Sequence, residues 1–273
     1  MDKHDYRYDK FKYFCSQIND YNIQYFRNDP YLRSIVDNVT PQFGLEFYYK
    51  IIQNYIAICK QVDWNTIENL MSIGNPIDKQ KYMFCDNQYL LSPKALCYIK
   101  FTFDILSHIC EETNLKEIDV VEIGGGYGCQ GILLYIMAKH FDIKVNSYTI
   151  IDLPEVNVLQ RAFIKSCISK LSSSDEYNSS LHCISPEEYK NINKTVEPNF
   201  VISNYALGEF NQYWQNFYID NVVSKTEHGY FCWNFSPTNP NIHSYFNNIK
   251  RLIKEEENPQ TNTPPIKSYV IRY

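Results

Sequence analysis

The chain has 273 residues, 44% hydrophobic and 16% aromatic with 24 Tyr, enough apolar material for a large packed core, so disorder is excluded as its main state. Its net charge is −5 and its Lys and Arg are scattered singly, so it carries no basic stripe for nucleic acid. The first residues, "MDKHDYRYDKFKYF", lack a signal-like apolar run, and no segment reaches the roughly 18 apolar residues of a membrane span.

A cytoplasmic chain with neither a membrane nor a nucleic-acid partner is expected. Its nine Cys form no CxxC pair, which argues for reduced core thiols over disulfides or a zinc cluster. Residues 1–115 read as a helical N-terminal or cap region. In "GLEFYYKIIQNYIAICK", Leu45, Tyr48, Ile52, Tyr55 and Cys59 recur at helical spacing, leaving Glu46, Lys50 and Asn54 for the wet side. "SIGNPIDKQ" punctuates the chain with Gly74 and Pro76, and a helix begins near Ser92 with Pro93 in its first turn. That helix, "PKALCYIKFTFDILSHICEE", is apolar almost all round and is expected to lie between two layers.

From Glu117 the rhythm changes, and 116–273 reads as an α/β domain. "IDVVEI", "NSYTIID", "LHCIS", "NFVISN" and "GYFCWNF" are strand runs. They alternate with helical "GILLYIMAKHF", "PEVNVLQRAFIKSCISKL" and "EFNQYWQNFYIDNVVSK", which implies a parallel sheet with helices on both faces. "IHSYFNNIKRLIKEEE" is expected as a last helix and "IKSYVIRY" as an edge strand.

"VVEIGGGYGCQG" holds five of the nine Gly of the chain between a strand and a helix. Such a run lets a ligand approach the backbone and sets free N–H groups of the helix start beside it. Gly126, Gly128 and Gly131 satisfy the dinucleotide spacing GxGxxG. Gly124, Gly126 and Gly128 satisfy GxGxG two positions after Glu122, the frame associated with S-adenosylmethionine (SAM). The apolar run ends at Ile123, so the turn should start at Gly124, and a carboxylate there suits a cation better than a pyrophosphate. Asp152, at the end of the next strand, is placed either to accept from the hydroxyls of an adenosine ribose or to cap the helix that follows.

In this order and spacing, "VVEIGGGYGCQG", "YTIIDLPEVNVLQRAF" and "VISNYALGEF", preceded by "IGNP" and "LLSPKALCYIKFTFDI", resemble the sugar O-methyltransferase family of class I SAM-dependent methyltransferases over roughly Ile73 to Phe235. The resemblance implies a Rossmann-like methyltransferase sheet preceded by the helical region. It implies a SAM pocket with Glu122, Gly124, Gly126 and Gly128 around the methionine part, Asp152 and Leu153 at the ribose, and Ser185 near the adenine. It places "SNYALGEF", with Asn204 and Tyr205, beside the methyl group. The reaction implied is O-methylation of a nucleotide sugar or a glycan residue, as in glycan biosynthesis.

Methyl transfer to a hydroxyl is an in-line displacement helped by a base that takes the hydroxyl proton. Glu209, five residues past Asn204, is the first candidate, or else complements the dipole of the helix that follows. Among the six His, His228 and His243 fall near the fifth strand of the α/β region and are the other candidates. Tyr205, Trp214 and Trp233 could stack on a ligand. A divalent metal is possible, though no spacing specifies a site. A homodimer contact through the N-terminal region is also open. Two other function classes fit the glycine run: an NAD(P)-dependent oxidoreductase, and a catalytically silent binding protein on the same fold.

Overall fold

The computed structural model describes residues 6–171, 180–192, 197–235, 246, 249, 252–261 and 267–273. Among these no strand precedes Ile73, and the N-terminal region begins with the helix Tyr6–Ser16 followed by short helical segments. Asp29 Oδ1 caps Pro30–Ile35 by accepting from Tyr31 N and Leu32 N, each at 2.9 Å.

The helix expected over 44–60 is broken into pieces. A wide turn at Gly44–Tyr48 inserts an extra residue per turn before Tyr49–Gln53, and the chain restarts at Ile56–Cys59. The insertion keeps Tyr48 and Ile52 in the core while turning Leu45 outward, 46% exposed, against the expected inward face. A hairpin was not anticipated: β1 (Gln80–Phe84) pairs antiparallel with β2 (Asn87–Leu91). Its two-residue turn, Cys85 and Asp86, has φ of +49° and +64°, a geometry usually announced by Asn-Gly. Inward Phe84 stacks on Trp64 with ring centroids 3.9 Å apart.

Ser92 caps the helix Pro93–His108 by accepting from Ala95 N at 3.2 Å. As expected, this helix is buried on nearly every side. The main sheet contains β3 (Glu117–Ile123), β4 (Lys144–Ile151), β5 (Leu181–Ile184), β6 (Phe200–Asn204), β7 (His228–Phe235), β8 (Ile253–Glu256) and β9 (Lys267–Arg272), in the order β5-β4-β3-β6-β7-β9-β8. Strands β5, β4, β3, β6 and β7 are parallel, and β9 runs antiparallel to both β7 and β8.

The terminal run is therefore an interior strand, not the expected edge. Of the expected helix over 242–257, Ile253–Glu256 is extended and forms the edge, where exposed Lys254, Glu255 and Glu256 discourage further pairing.

Alternation along the strands supplies two cores. Val120, Ile150, Ile202, Tyr230 and Val270 face one side, while Val121, Ile151, Val201, Phe231 and Ile271 face the other. The first core runs without interruption from Phe11 through Leu96 and Ile132 to Val270, so the N-terminal region and one sheet face share it. The architecture is a mostly parallel, Rossmann-like sheet covered on both faces, with helical residues packed in front of it.

Candidate functional site

β3 and β4 carry their Val and Ile runs to a common carboxyl end, and β6 ends beside them. A cavity of about 810 Å³ opens there. Its floor is the glycine turn. Gly124 N donates to Ile151 O at 3.0 Å, extending the ladder by one residue before the chain turns at φ +71°. A Cβ on Gly124 would fall 2.2 Å from Ala206 Cβ after β6, so the turn is kept bare by the protein's own crowding as well as by its dihedral. Gly126 turns at φ +57°, with Tyr98 Oη and Val36 Cγ1 each 3.0 Å from where its Cβ would stand.

Two acids flank this floor. Glu122 is 1% exposed, and its Oε2 accepts from Tyr148 Oη at 2.9 Å. Burial pushes its carboxyl up to about 8, with the Tyr148 bond opposing and the Asp152 charge reinforcing that rise. Asp152 accepts from Leu153 N at 2.8 Å and from Gln160 Nε2 at 2.9 Å, and burial raises it to about 6 against those bonds. Gln160 Nε2 also donates to Gly126 O at 3.0 Å, tying the glycine turn to Asp152. The side chain of Asp152 caps nothing: the residue preceding Pro154–Ile168 is Leu153, with no side-chain cap.

Leu153, Asn204, Tyr205 and Glu209 line the same cavity. Asn204 Nδ2 donates to Gln130 Oε1 at 3.4 Å, while its Oδ1 is buried without a partner. Tyr205 stands at φ +70°, left-handed for a bulky residue, and its N donates to Cys232 O at 2.8 Å. Glu209 is solvent-accessible inside the cavity; desolvation by the walls raises its carboxyl, and Lys94 opposes that rise. Trp214 also lines the cavity, whereas Trp233 is 3% exposed in the second core.

Other sequence candidates lie elsewhere. His228 opens β7 in register with Phe200, the first residue of β6, at the opposite strand ends from the cavity, so it is removed as a base candidate. His243 lies outside the described residues. Gly128, at φ +88°, precedes the helix Cys129–Ala138 and does not line the cavity. Ser185 Oγ accepts from Glu188 N at 3.1 Å in a capping box, while the next residue, Pro186, reaches the cavity wall. Among the described residues, no group of three or more His, Cys, Asp or Glu is arranged to hold a metal, and no helix is long and apolar enough to cross a membrane.

The opposite wall had no motif to announce it. It is built by Tyr8, Phe11, Val36, Phe43 and Tyr48 of the N-terminal region. Burial first, then the charges of Asp152 and Glu209, raise the Tyr8 phenol above its ordinary value, so the first helix faces the acids across the cavity. Arg27 fixes this wall to the glycine turn. It is 1% exposed, donates through Nε and Nη2 to the two Asp37 oxygens at 2.9 Å each, through Nη2 to Ser92 Oγ at 2.7 Å, and through Nη1 to Met71 O at 3.0 Å. Its guanidinium lies 5.2 Å from the centroid of the Tyr127 ring, inside the glycine segment.

No protein-family model and no curated protein matches the chain. Among solved structures it is similar to methyltransferases. One is magnesium protoporphyrin IX methyltransferase from Synechocystis PCC 6803 with bound SAM, at 11% identity and TM-score 0.43 over 65% of this chain and 79% of that one. An N-methyltransferase from Bradyrhizobium japonicum WM9 in complex with S-adenosylhomocysteine (SAH) shows 12% identity and TM-score 0.42 over 64% and 86%. An O-methyltransferase family protein from Burkholderia thailandensis shows 10% and 0.40 over 66% and 59%. Likeness at this level assigns no acceptor.

Proposed function

We propose that this chain is a SAM-dependent O-methyltransferase acting on a hydroxyl of a sugar. The observation that carries the reading is the pairing of Glu122 and Asp152 around the Gly124–Gly126 turn on the cavity floor. Both carboxyls are forced toward their neutral forms by burial, and a cationic ligand is what would restore their charge. A pyrophosphate beside Glu122 would do the opposite, which disfavours the oxidoreductase alternative. The residues fit the cofactor: Asp152 retains lone pairs for a ribose diol, and Glu122 with the bare turn suits the methionine part.

When bound, SAM supplies an electrophilic methyl carbon. The cofactor would leave as SAH once its methyl is given up, and Glu209, on the cavity wall, would take the proton of the acceptor hydroxyl. The cavity volume lies within the range of small-molecule sites, and the N-terminal wall covers it, which supports a small acceptor over a polymer threaded across the surface.

The test has two stages. SAM and SAH, and not NAD(P), should raise the melting temperature, since a ligand at 100 times its dissociation constant stabilises by about 2.7 kcal/mol. Asp152→Ala should weaken that binding. Labelled SAM with a sugar panel, read by mass analysis, should then yield an O-methyl product; stabilisation by NAD(P) alone would end the proposal.

A further inference from the structure

The cavity has a polar corner on its β7–β9 side that begins at Tyr205, the residue expected beside the methyl group, and continues away from the glycine turn. Tyr205 and Thr261 both line the cavity, and both turn their hydroxyls toward Glu257, which is 3% exposed. The Tyr205 hydroxyl donates to Glu257 Oε1, and Thr261 Oγ1 donates to Oε2 at 2.7 Å. Thr261 Oγ1 stands 3.3 Å from Tyr205 Oη, so the two oxygens form one spot on the wall. Each hydroxyl has one proton and two lone pairs. With both protons directed to Glu257, lone pairs are what each hydroxyl has left for a ligand. These two hydroxyls accept hydrogen bonds from a ligand and offer none, so phosphate and carboxylate oxygens find no donor in either of them.

The charge of the walls points the same way. Among the described residues lining the cavity, the acids are Glu122, Asp152 and Glu209, and Lys94 is the sole cation. A cluster of Arg or Lys, a common device for holding a diphosphate, is not found among these residues. On the basis of the methyl-transfer reading, we infer that the acceptor is an uncharged polyol, a free or glycosidically linked sugar residue held through its hydroxyls by Tyr205 and Thr261, and not a nucleotide-activated sugar. Glu257 acts as a positioning residue, fixing the polarity of the two hydroxyls that touch the acceptor.

The experiment incubates the full chain with labelled SAM and methyl glycosides of common hexoses and deoxyhexoses, in parallel with the same sugars as nucleoside diphosphates and with methyl aminoglycosides. SAH affinity is measured separately by titration. A methyl glycoside should be O-methylated with kcat/KM at least tenfold above its nucleotide form. Glu257→Gln keeps the shape of the corner but lets an amide donate to one hydroxyl, so acceptor KM should rise about tenfold, the worth of one hydrogen bond, with SAH affinity within twofold. Thr261→Val should move KM in the same direction and serves if Glu257→Gln does not fold; a purely structural role would lower the melting temperature without this split of KM from SAH affinity.

The inference is overturned by a nucleotide sugar methylated as well as or better than its glycoside, by transfer to an amine, by no glycoside product from protein that binds SAH, or by unchanged acceptor KM in a folded variant. Absence of SAH binding overturns the methyl-transfer reading itself, and this inference with it.

Discussion

The two walls of the cavity differ in how sequence specifies them. The floor at the ends of β3 and β4 is local: a buried strand, left-handed glycines at 124 and 126, and an acid closing the next strand follow one another along the chain. The facing wall is assembled from Tyr8, Val36, Tyr48 and Tyr98, distant in sequence and brought together only by packing. Local backbone geometry leaves a signature in residue type, since few residues tolerate positive φ. A wall of aromatics leaves none in a chain with 24 Tyr.

The largest expected effect joins the two walls. Asp37→Ala leaves the Arg27 guanidinium buried and missing its carboxylate, which should cost about 3–5 kcal/mol. Chemical denaturation should show the loss, and SAH affinity should fall with it because Arg27 packs on Tyr127 of the glycine segment. A small change in stability would mean that the N-terminal wall is held by its apolar core alone.

Next comes the floor itself. Gly124→Ala places a methyl 2.2 Å from Ala206 Cβ at φ +71°, and strain plus crowding should cost roughly 3 kcal/mol. Gly126→Ala meets only Tyr98 Oη and Val36 Cγ1 at 3.0 Å and should cost less. Equal melting temperatures for these two variants would contradict the crowding account.

A third variant bears on chemistry alone. Glu209→Gln preserves shape but removes the proposed proton acceptor, so kcat should drop roughly 10²-fold, about 2.7 kcal/mol, with SAH affinity little changed. Full activity would return Glu209 to its structural alternative.

How far the fold was legible follows the same division. Strands β3 to β7 announced themselves because buried parallel strands need Val and Ile runs, and their helices carry apolar faces at the matching period. The β1–β2 hairpin was missed because Cys85 and Asp86 adopt positive φ without the glycine that usually signals it. β8 was missed because an edge strand with exposed Lys254, Glu255 and Glu256 reads like a solvated helix. Glu257 closes that same acidic run, and nothing in residue type separates it from its exposed neighbours; it is buried with its carboxylate against Tyr205 and Thr261, contacts that depend on the tertiary fold. His228 looked plausible because position along a strand, amino or carboxyl end, depends on register that sequence alone did not supply.

The smallest effect expected is a difference between SAM and SAH in the pH dependence of binding, and it tests whether the floor takes a cation. Burial holds Glu122 at about 8 and Asp152 at about 6, both above their ordinary range. Between that range and these values the folded protein holds protons that the unfolded chain has released, so stability should fall as pH rises through the window. For Asp152 the decline ends near 6, and for Glu122 it continues to about 8. A cationic ligand favours the ionised carboxylates, so its binding should release protons and tighten as pH approaches 8. SAM, with its sulfonium, should therefore show a steeper pH dependence of affinity than uncharged-sulfur SAH. Glu122→Gln should abolish the difference and flatten the upper part of the stability slope, leaving the lower part to Asp152. Melting curves across the window and titrations of both ligands in wild type and variant measure this; identical slopes for SAM and SAH in the wild type would place the sulfonium away from Glu122.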